Sequence, residues 1–284
     1  GASLQFAMVP MNFLRPDRSA DYVHTGEWSG RAITEAKRFG QVGLAGSSEP
    51  QKFSRLPGQM RFDPNSTYVH FTTNNTIEGT QWKSIPSTGS VPVVVDASSD
   101  LLGIARDHAR FDLIYAGAQK NLGPAGVTVV VIKKKFLEQA LTDIPTVLSY
   151  KNHASADAML NTPPVFPVYV LGLTLEWLEE QGGVTKVAVQ NELKARMVYE
   201  ALDEFPEIYA PAVSIAEQRS WMNLTFRLKD PSREAAFLAG AQALQMDGLK
   251  GHRSVGGLRA SMYNAFPMEG AVRLAEYLRK FARG

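Results

Sequence analysis

Polar and apolar positions divide this chain into short unbroken apolar runs and longer stretches with helical spacing. "SLQFAMVPMNFL" and "WSGRAITEAKRFG" repeat apolar residues every three or four positions and predict helices, the first capped by Ser3 and the second closed by Gly40. "QVGLAGSS", "TYVHFTTNN", "VPVVVDASSD", "FDLIYAGAQ" and "GVTVVVI" are short enough to be strands. "VPVVV" shows no polar alternation, which suits a strand buried on both faces of a parallel sheet. A helical stretch, "KKKFLEQAL", follows the last run. Beyond the Pro-rich "NTPPVFP" come two long helices, "VYVLGLTLEWLEEQGG" and "VTKVAVQNELKARMVYEALDEFP", meeting at Gly182–Gly183. The tail alternates strand, helix, strand and helix: "WMNLTFRL", "PSREAAFLAGAQAL", "GGLRASMY" and "MEGAVRLAEYLRKFA". The fold class read from this order is α/β. A mainly parallel sheet flanked by helices occupies residues 1–182, and a smaller C-terminal α+β domain occupies 183–284.

Composition narrows the chemistry. With 284 residues, 44% hydrophobic and 20% charged, the chain has the make-up of a globular protein. A net charge of +2 gives no reason to expect a nucleic-acid or membrane-surface partner. There is no cysteine, which removes disulfides, thiolate metal sites and thiol nucleophiles. The five histidines are scattered without metal-ligand spacing, so no metal site is expected. No apolar run approaches the roughly 20 residues of a membrane span, no signal peptide is visible, and the cytoplasm is the default compartment. The opening "GASLQF" reads as the middle of a motif, so a preceding segment is expected.

Candidate chemistry collects where strands end. Open α/β sheets bind ligands beyond the carboxyl ends of their strands. Here those ends carry Gly46–Ser48, Thr73–Thr76, Asp96 and Gln119–Lys120. Taken singly, each has a plain reading: Lys120 as a loop lysine, Asp96 as half of a structural ion pair, Thr76 as a turn threonine. As a pair, Asp96 and Lys120 lie one βαβ-like step apart and are expected at one sheet edge, on neighbouring strands. Pyridoxal phosphate needs that pair: a lysine to bond its aldehyde carbon, and a buried carboxylate to keep its ring nitrogen protonated. "GAS" at a helix start offers N–H groups and a hydroxyl to a phosphate, or simply caps the helix. Trp28 suits either stacking on a flat ring or core packing. "GHRSVGGLRAS" brings His252, Arg253 and Arg259 close in sequence, either as a solvated basic loop or to grip anions.

"GASLQF", "TGEWS", "TNNTIEGTQ", "VDASSD", "AGAQKNLGPAG", "NTPPVF" and "GHRSVGGLRASMYNA" follow one another in this chain as they do in the phosphoserine aminotransferase family. Over nearly its whole length the chain resembles these class V, fold-type I pyridoxal-phosphate enzymes. The resemblance implies transfer of an amino group between glutamate and 3-phosphohydroxypyruvate, in serine biosynthesis, by a ping-pong mechanism in a homodimer with shared active sites. It makes Lys120 the Schiff-base lysine, Asp96 the partner of the pyridine nitrogen, Trp28 the stacking ring and Thr76 the donor to the phenolic oxygen. Ala2, Ser3 and Gln119 are implied as phosphate ligands, joined by Asn161 and Thr162 across the dimer. His252 and Arg253 are implied on the substrate phosphate, Arg259 on the α-carboxylate. The family's N-terminal His/Arg pair and a glycine before "GAS" have no counterpart here. Two other readings stand beside this one: another class V enzyme, such as an alanine–glyoxylate aminotransferase or a desulfurase-like relative, and an inactive truncated chain.

Overall fold

The structure is a computed structural model describing residues 1–284. Six strands form the larger sheet: β1 (Ser19–His24), β2 (Gln41–Ser47), β3 (Val69–Thr72), β4 (Val93–Asp96), β5 (Leu113–Gly117) and β6 (Thr128–Ile132), ordered β2-β1-β3-β4-β5-β6. The first five run parallel, so all five end at the same edge. β6 is antiparallel to β5; a two-sided apolar strand reads the same in either direction. Successive side chains point to opposite faces. Val94, Leu113 and Tyr115 accordingly join one apolar cluster, and Val93, Val95 and Ile114 join another. The first cluster is closed by Phe6, Val9 and Phe13 of α1 (Gln5–Phe13) and by Ala32 and Ile33 of α2 (Glu27–Ala36).

Four sequence expectations change. Ser3 does not cap a helix: residues Ala2–Leu4 form a 3₁₀ turn that runs directly into α1, whose own cap position is Leu4. β1 was not expected, because Asp21 interrupts its apolar run. Asp21 is nonetheless buried, and its carboxylate accepts the Asp63 N–H at 2.7 Å. The helix after β6 shrinks to α3 (Lys134–Leu137). The step from β4 to β5 contains no α-helix, only turns and a 3₁₀ segment at His108–Arg110.

After α4 (Tyr150–Ser155) come α5 (Val165–Glu180) and α6 (Gly183–Asp203), joined through Gly182 at φ +86°. A left-handed residue at that junction favours glycine. The tail forms a three-stranded antiparallel sheet of β7 (Tyr209–Pro211), β8 (Asn223–Leu228) and β9 (Leu258–Ser261). It packs with α6, α7 (Glu234–Ala243) and α8 (Met268–Arg283) around a separate cluster that includes Val198, Leu202, Phe226, Phe237 and Leu278. Buried polar contacts join the two sheets. The Thr225 hydroxyl donates to the Glu78 carbonyl at 2.9 Å, and the Asn74 amide to the Asn223 Oδ1 at 2.8 Å.

Candidate active site

Asp96 is the last residue of β4, in register with Thr72 of β3 on one side and Tyr115 of β5 on the other. It is 6% exposed. Burial raises its pKa to about 6, hydrogen bonds from Ser98 oppose the rise, and the nearby Asp100 charge adds to it. The Ser98 N–H donates to Asp96 Oδ1 at 2.9 Å, and Ser98 Oγ accepts the Gly117 N–H at 3.2 Å. The carboxylate is thus tied to the end of β5, three residues before Lys120. Lys120 is half-buried in the turn after β5, with its Nζ 5.4 Å from the centre of the Tyr263 ring. Neither Asp96 nor Lys120 forms any of the chain's ion pairs.

The exit of β1 brings in Trp28. Ser29 Oγ accepts the N–H groups of Thr25 and Gly26, and the Glu78 carboxylate accepts the Glu27 N–H at 2.8 Å, satisfying the start of α2. Gly26 permits this: a Cβ there would lie 2.3 Å from Glu78 Cδ. Trp28 Nε1 then donates to the Thr76 hydroxyl at 2.9 Å. A hydroxyl that accepts a bond keeps its own proton to donate. Arg259, on β9, reaches the same place from the other sheet and donates to the Thr76 carbonyl at 3.1 Å across 183 residues of chain. Its Nε is buried without a partner.

The structure therefore gathers Asp96, Lys120, Trp28, Thr76 and Arg259 at one sheet edge. Ala2 and Trp28 both pack against the cluster under α1, and the 3₁₀ turn of Ala2 lies against β5. Ser3, Gln119, Asn161 and Thr162 are exposed, with Asn161 bonded only to the Thr162 carbonyl. Arg253 is exposed and His252 partly so, on a loop where His252 Nδ1 meets Ser254 Oγ at 2.7 Å. None of these six makes a side-chain hydrogen bond to the five gathered residues of the same chain. Three neighbours escaped sequence reading: Ser98, Asn121 and Tyr263. Tyr263 lies inside the quoted tail motif, but nothing in that run shows that its ring faces Lys120.

These residues fit pyridoxal phosphate. A buried carboxylate with no cation beside it suits a protonated ring nitrogen, and a free hydroxyl proton suits the phenolic oxygen. An unsatisfied guanidinium donor suits a substrate carboxylate.

A family model described as aminotransferase class-V matches residues 1–274. The phosphoserine aminotransferase of Lysinibacillus sphaericus is 51% identical over 283 residues, covering 99% of this chain and 78% of its own length. That of Bacillus subtilis is 46% identical over 282 residues, with the same coverage. This chain belongs to the class-V aminotransferases, in the phosphoserine aminotransferase family. Among solved structures, phosphoserine aminotransferase from Bacillus circulans subsp. alkalophilus superposes with a TM-score of 0.96 at 44% identity, covering 100% of this chain and 79% of that one. The pyridoxal-phosphate-bound enzyme from Trichomonas vaginalis gives 0.91 at 33%, over 98% and 80%. An alanine–glyoxylate aminotransferase from Nostoc shares the fold at 0.76 but only 14% of the sequence, over 98% and 78%.

Proposed function

We propose that this chain transfers an amino group between glutamate and 3-phosphohydroxypyruvate as a pyridoxal-phosphate-dependent phosphoserine aminotransferase. The observation that carries this is the pairing of a buried, cation-free Asp96 with Lys120 at the ends of adjacent parallel strands. The relatives near 50% identity favour it over the alanine–glyoxylate reading, whose named example shares only the fold. When bound, the cofactor supplies an electron sink for the substrate's α-carbon. Asp96 would hold a proton at the ring nitrogen, since a buried carboxylate whose charge is disfavoured by desolvation favours a cationic neighbour. Lys120 Nζ takes the α-proton and returns it, acting as base and then acid. Trp28, held in place by its bond to Thr76, would supply a flat face for the ring, and the spare Thr76 proton would be available to the phenolic oxygen. Arg259 grips the α-carboxylate, a group that glutamate and phosphoserine share, so one residue serves both halves of a ping-pong cycle. Ala2, Ser3 and Gln119 hold the cofactor phosphate.

The working unit in this reading is a cytoplasmic homodimer. α5 supports the dimer: Val165, Phe166, Val168 and Tyr169 are 45–70% exposed, and Leu178 is its only buried residue. A partner's copy of this face brings Asn161 and Thr162 to the cofactor phosphate, while His252 and Arg253 bind the substrate phosphate, partly across the dimer. No helix is long and apolar enough to cross a membrane. The test is transamination by the purified chain loaded with cofactor, comparing 3-phosphohydroxypyruvate with pyruvate and glyoxylate as acceptors. Strong preference for the phosphorylated acid is expected, and Lys120→Ala abolishes turnover. Equal use of all three acceptors overturns the substrate, and appreciable turnover by Lys120→Ala overturns the role of the lysine.

A further inference from the structure

Lys194 lies on α6, is hydrogen-bonded to none of the residues gathered at the sheet edge, and is 2% exposed. A lysine so deeply buried normally pairs with a carboxylate. Lys194 forms no ion pair. Its Nζ instead donates to three backbone carbonyls of a single turn: Tyr263 at 3.0 Å, Asn264 at 3.4 Å and Phe266 at 2.9 Å. Burial lowers its pKa to about 8, which leaves it mostly charged at neutral pH.

The turn it holds touches the Lys120 region twice. The Tyr263 ring lies 5.4 Å from Lys120 Nζ. The Asn264 N–H donates to Oδ1 of Asn121, the residue next to Lys120, at 3.0 Å. Three asparagine amides then converge on one turn of the larger unit. Asn121 Nδ2 donates to the Leu101 carbonyl at 3.1 Å, Asn264 Nδ2 to Leu102 at 3.0 Å and Asn191 Nδ2 to Gly103 at 2.9 Å. Leu102 sits at φ +58°, a left-handed conformation that a leucine adopts only when its surroundings impose it. Asn191 also donates to Asn264 Oδ1 at 2.9 Å and lies one helical turn before Lys194. The 101–103 turn, the 263–266 turn, α6 and the Lys120 turn are thus joined by directional bonds, buried or partly buried.

We propose that Lys194 is a positioning residue for Lys120, acting through the 263–266 turn and the Asn264–Asn121 hydrogen bond. Three donors on one rigidly placed ammonium fix the turn's carbonyls, which in turn fix the Asn264 N–H and the Tyr263 ring. Asn121 transmits that placement to the adjacent lysine. The kinetic and spectroscopic consequences rest on Lys120 being the cofactor lysine; the backbone consequences do not.

The experiment compares Lys194→Met, Asn121→Ala, the double variant and a control, Phe237→Leu, which loosens the C-terminal core without touching these turns. Hydrogen exchange of amides 118–122 is followed with and without cofactor, alongside the visible absorbance of the loaded enzyme against pH and steady-state kinetics. Lys194→Met raises exchange at 118–122 by about tenfold. It also shifts the absorbance midpoint and lowers kcat by about tenfold, with KM for glutamate little changed. The double variant is no worse than the more impaired single, because both residues act along one path. Phe237→Leu lowers the melting temperature and moves none of these. Unchanged exchange and midpoint in Lys194→Met, or effects that multiply in the double variant, overturn the proposal. If Lys194→Met does not fold, Asn121→Ala carries the test, because coupling is reciprocal and exchange at 262–266 must rise; wild-type exchange there overturns it. Loss of the Lys120 assignment through an active Lys120→Ala would leave the exchange result standing, so the two failures are distinguishable.

Discussion

A carboxylate closing a buried strand is costly unless it takes a proton or meets a cation, and in the cofactor-free chain burial disfavours the charged form of Asp96. Its folded pKa, about 6, lies above the ordinary value of 3.8. Between those two values the folded chain binds more protons than the unfolded one, so stability falls as pH rises through that window and stays low above it. The loss is on the order of 3 kcal/mol. Asp96→Asn removes it. The cofactor-free variant is expected to melt about 5 °C above the parent at pH 7 and to match it near pH 4. The loaded variant, unable to hold the ring proton, loses several powers of ten in kcat. Thermal melts at the two pH values check the first expectation; an unchanged melting temperature at pH 7 shows that the carboxylate is not under strain. Asp96 was legible in the sequence because a charge at the end of "VPVVV" contradicts its surroundings. Arg259 was legible as a cation but not as a neighbour of Thr76, since no local pattern encodes a contact across 183 residues.

Helix α5 shows why element-level reading stops at the single chain. Its apolar residues occur all around the helix, which by pattern alone means burial on every side. In one chain only Leu178 is buried. The proposed second copy would reconcile pattern and exposure by covering Val165, Phe166, Val168 and Tyr169, a patch that water otherwise faces. Phe166→Asp places a charge in the proposed interface and is expected to shift the protein toward monomer in sedimentation velocity. Cofactor retention should weaken with it, because Asn161 and Thr162 would no longer reach across. A variant that stays dimeric at micromolar concentration places the interface elsewhere. Other elements escaped for local reasons. β1 carries an aspartate satisfied only by a distant N–H, and β6 gives no sign of its direction.

At the scale of the whole molecule, the proposed cofactor residues come from the larger sheet and Arg259 from the smaller, so in this reading catalysis depends on how firmly the two are joined. Their order along the chain was readable from the alternation of strands and helices; the seam was not, because it is built from polar residues that look like ordinary loop sequence. Asn74 is its centre. Buried to 2% exposure, it donates to Ser99 Oγ and Asn223 Oδ1, each at 2.8 Å, and accepts from Ser220 Oγ at 2.5 Å. Ser99 belongs to the loop that follows Asp96, while Ser220 precedes β8 and Asn223 opens it. Asn74→Ala leaves these partners short of bonds in a region closed to water, at a cost of about 3 kcal/mol. That is a large share of the 5–15 kcal/mol typical of a folded protein. Exposed Asn65, bonded only to Asp63, serves as control: Asn65→Ala should change stability by less than about 0.5 kcal/mol. Urea unfolding followed both by tryptophan fluorescence and by absorbance of the bound cofactor reads the seam directly. The two probes should coincide in the parent and separate in Asn74→Ala, as the halves cease to unfold together. Coincident transitions at the parental midpoint would mean that apolar packing alone couples the sheets and that the polar seam contributes only to their alignment.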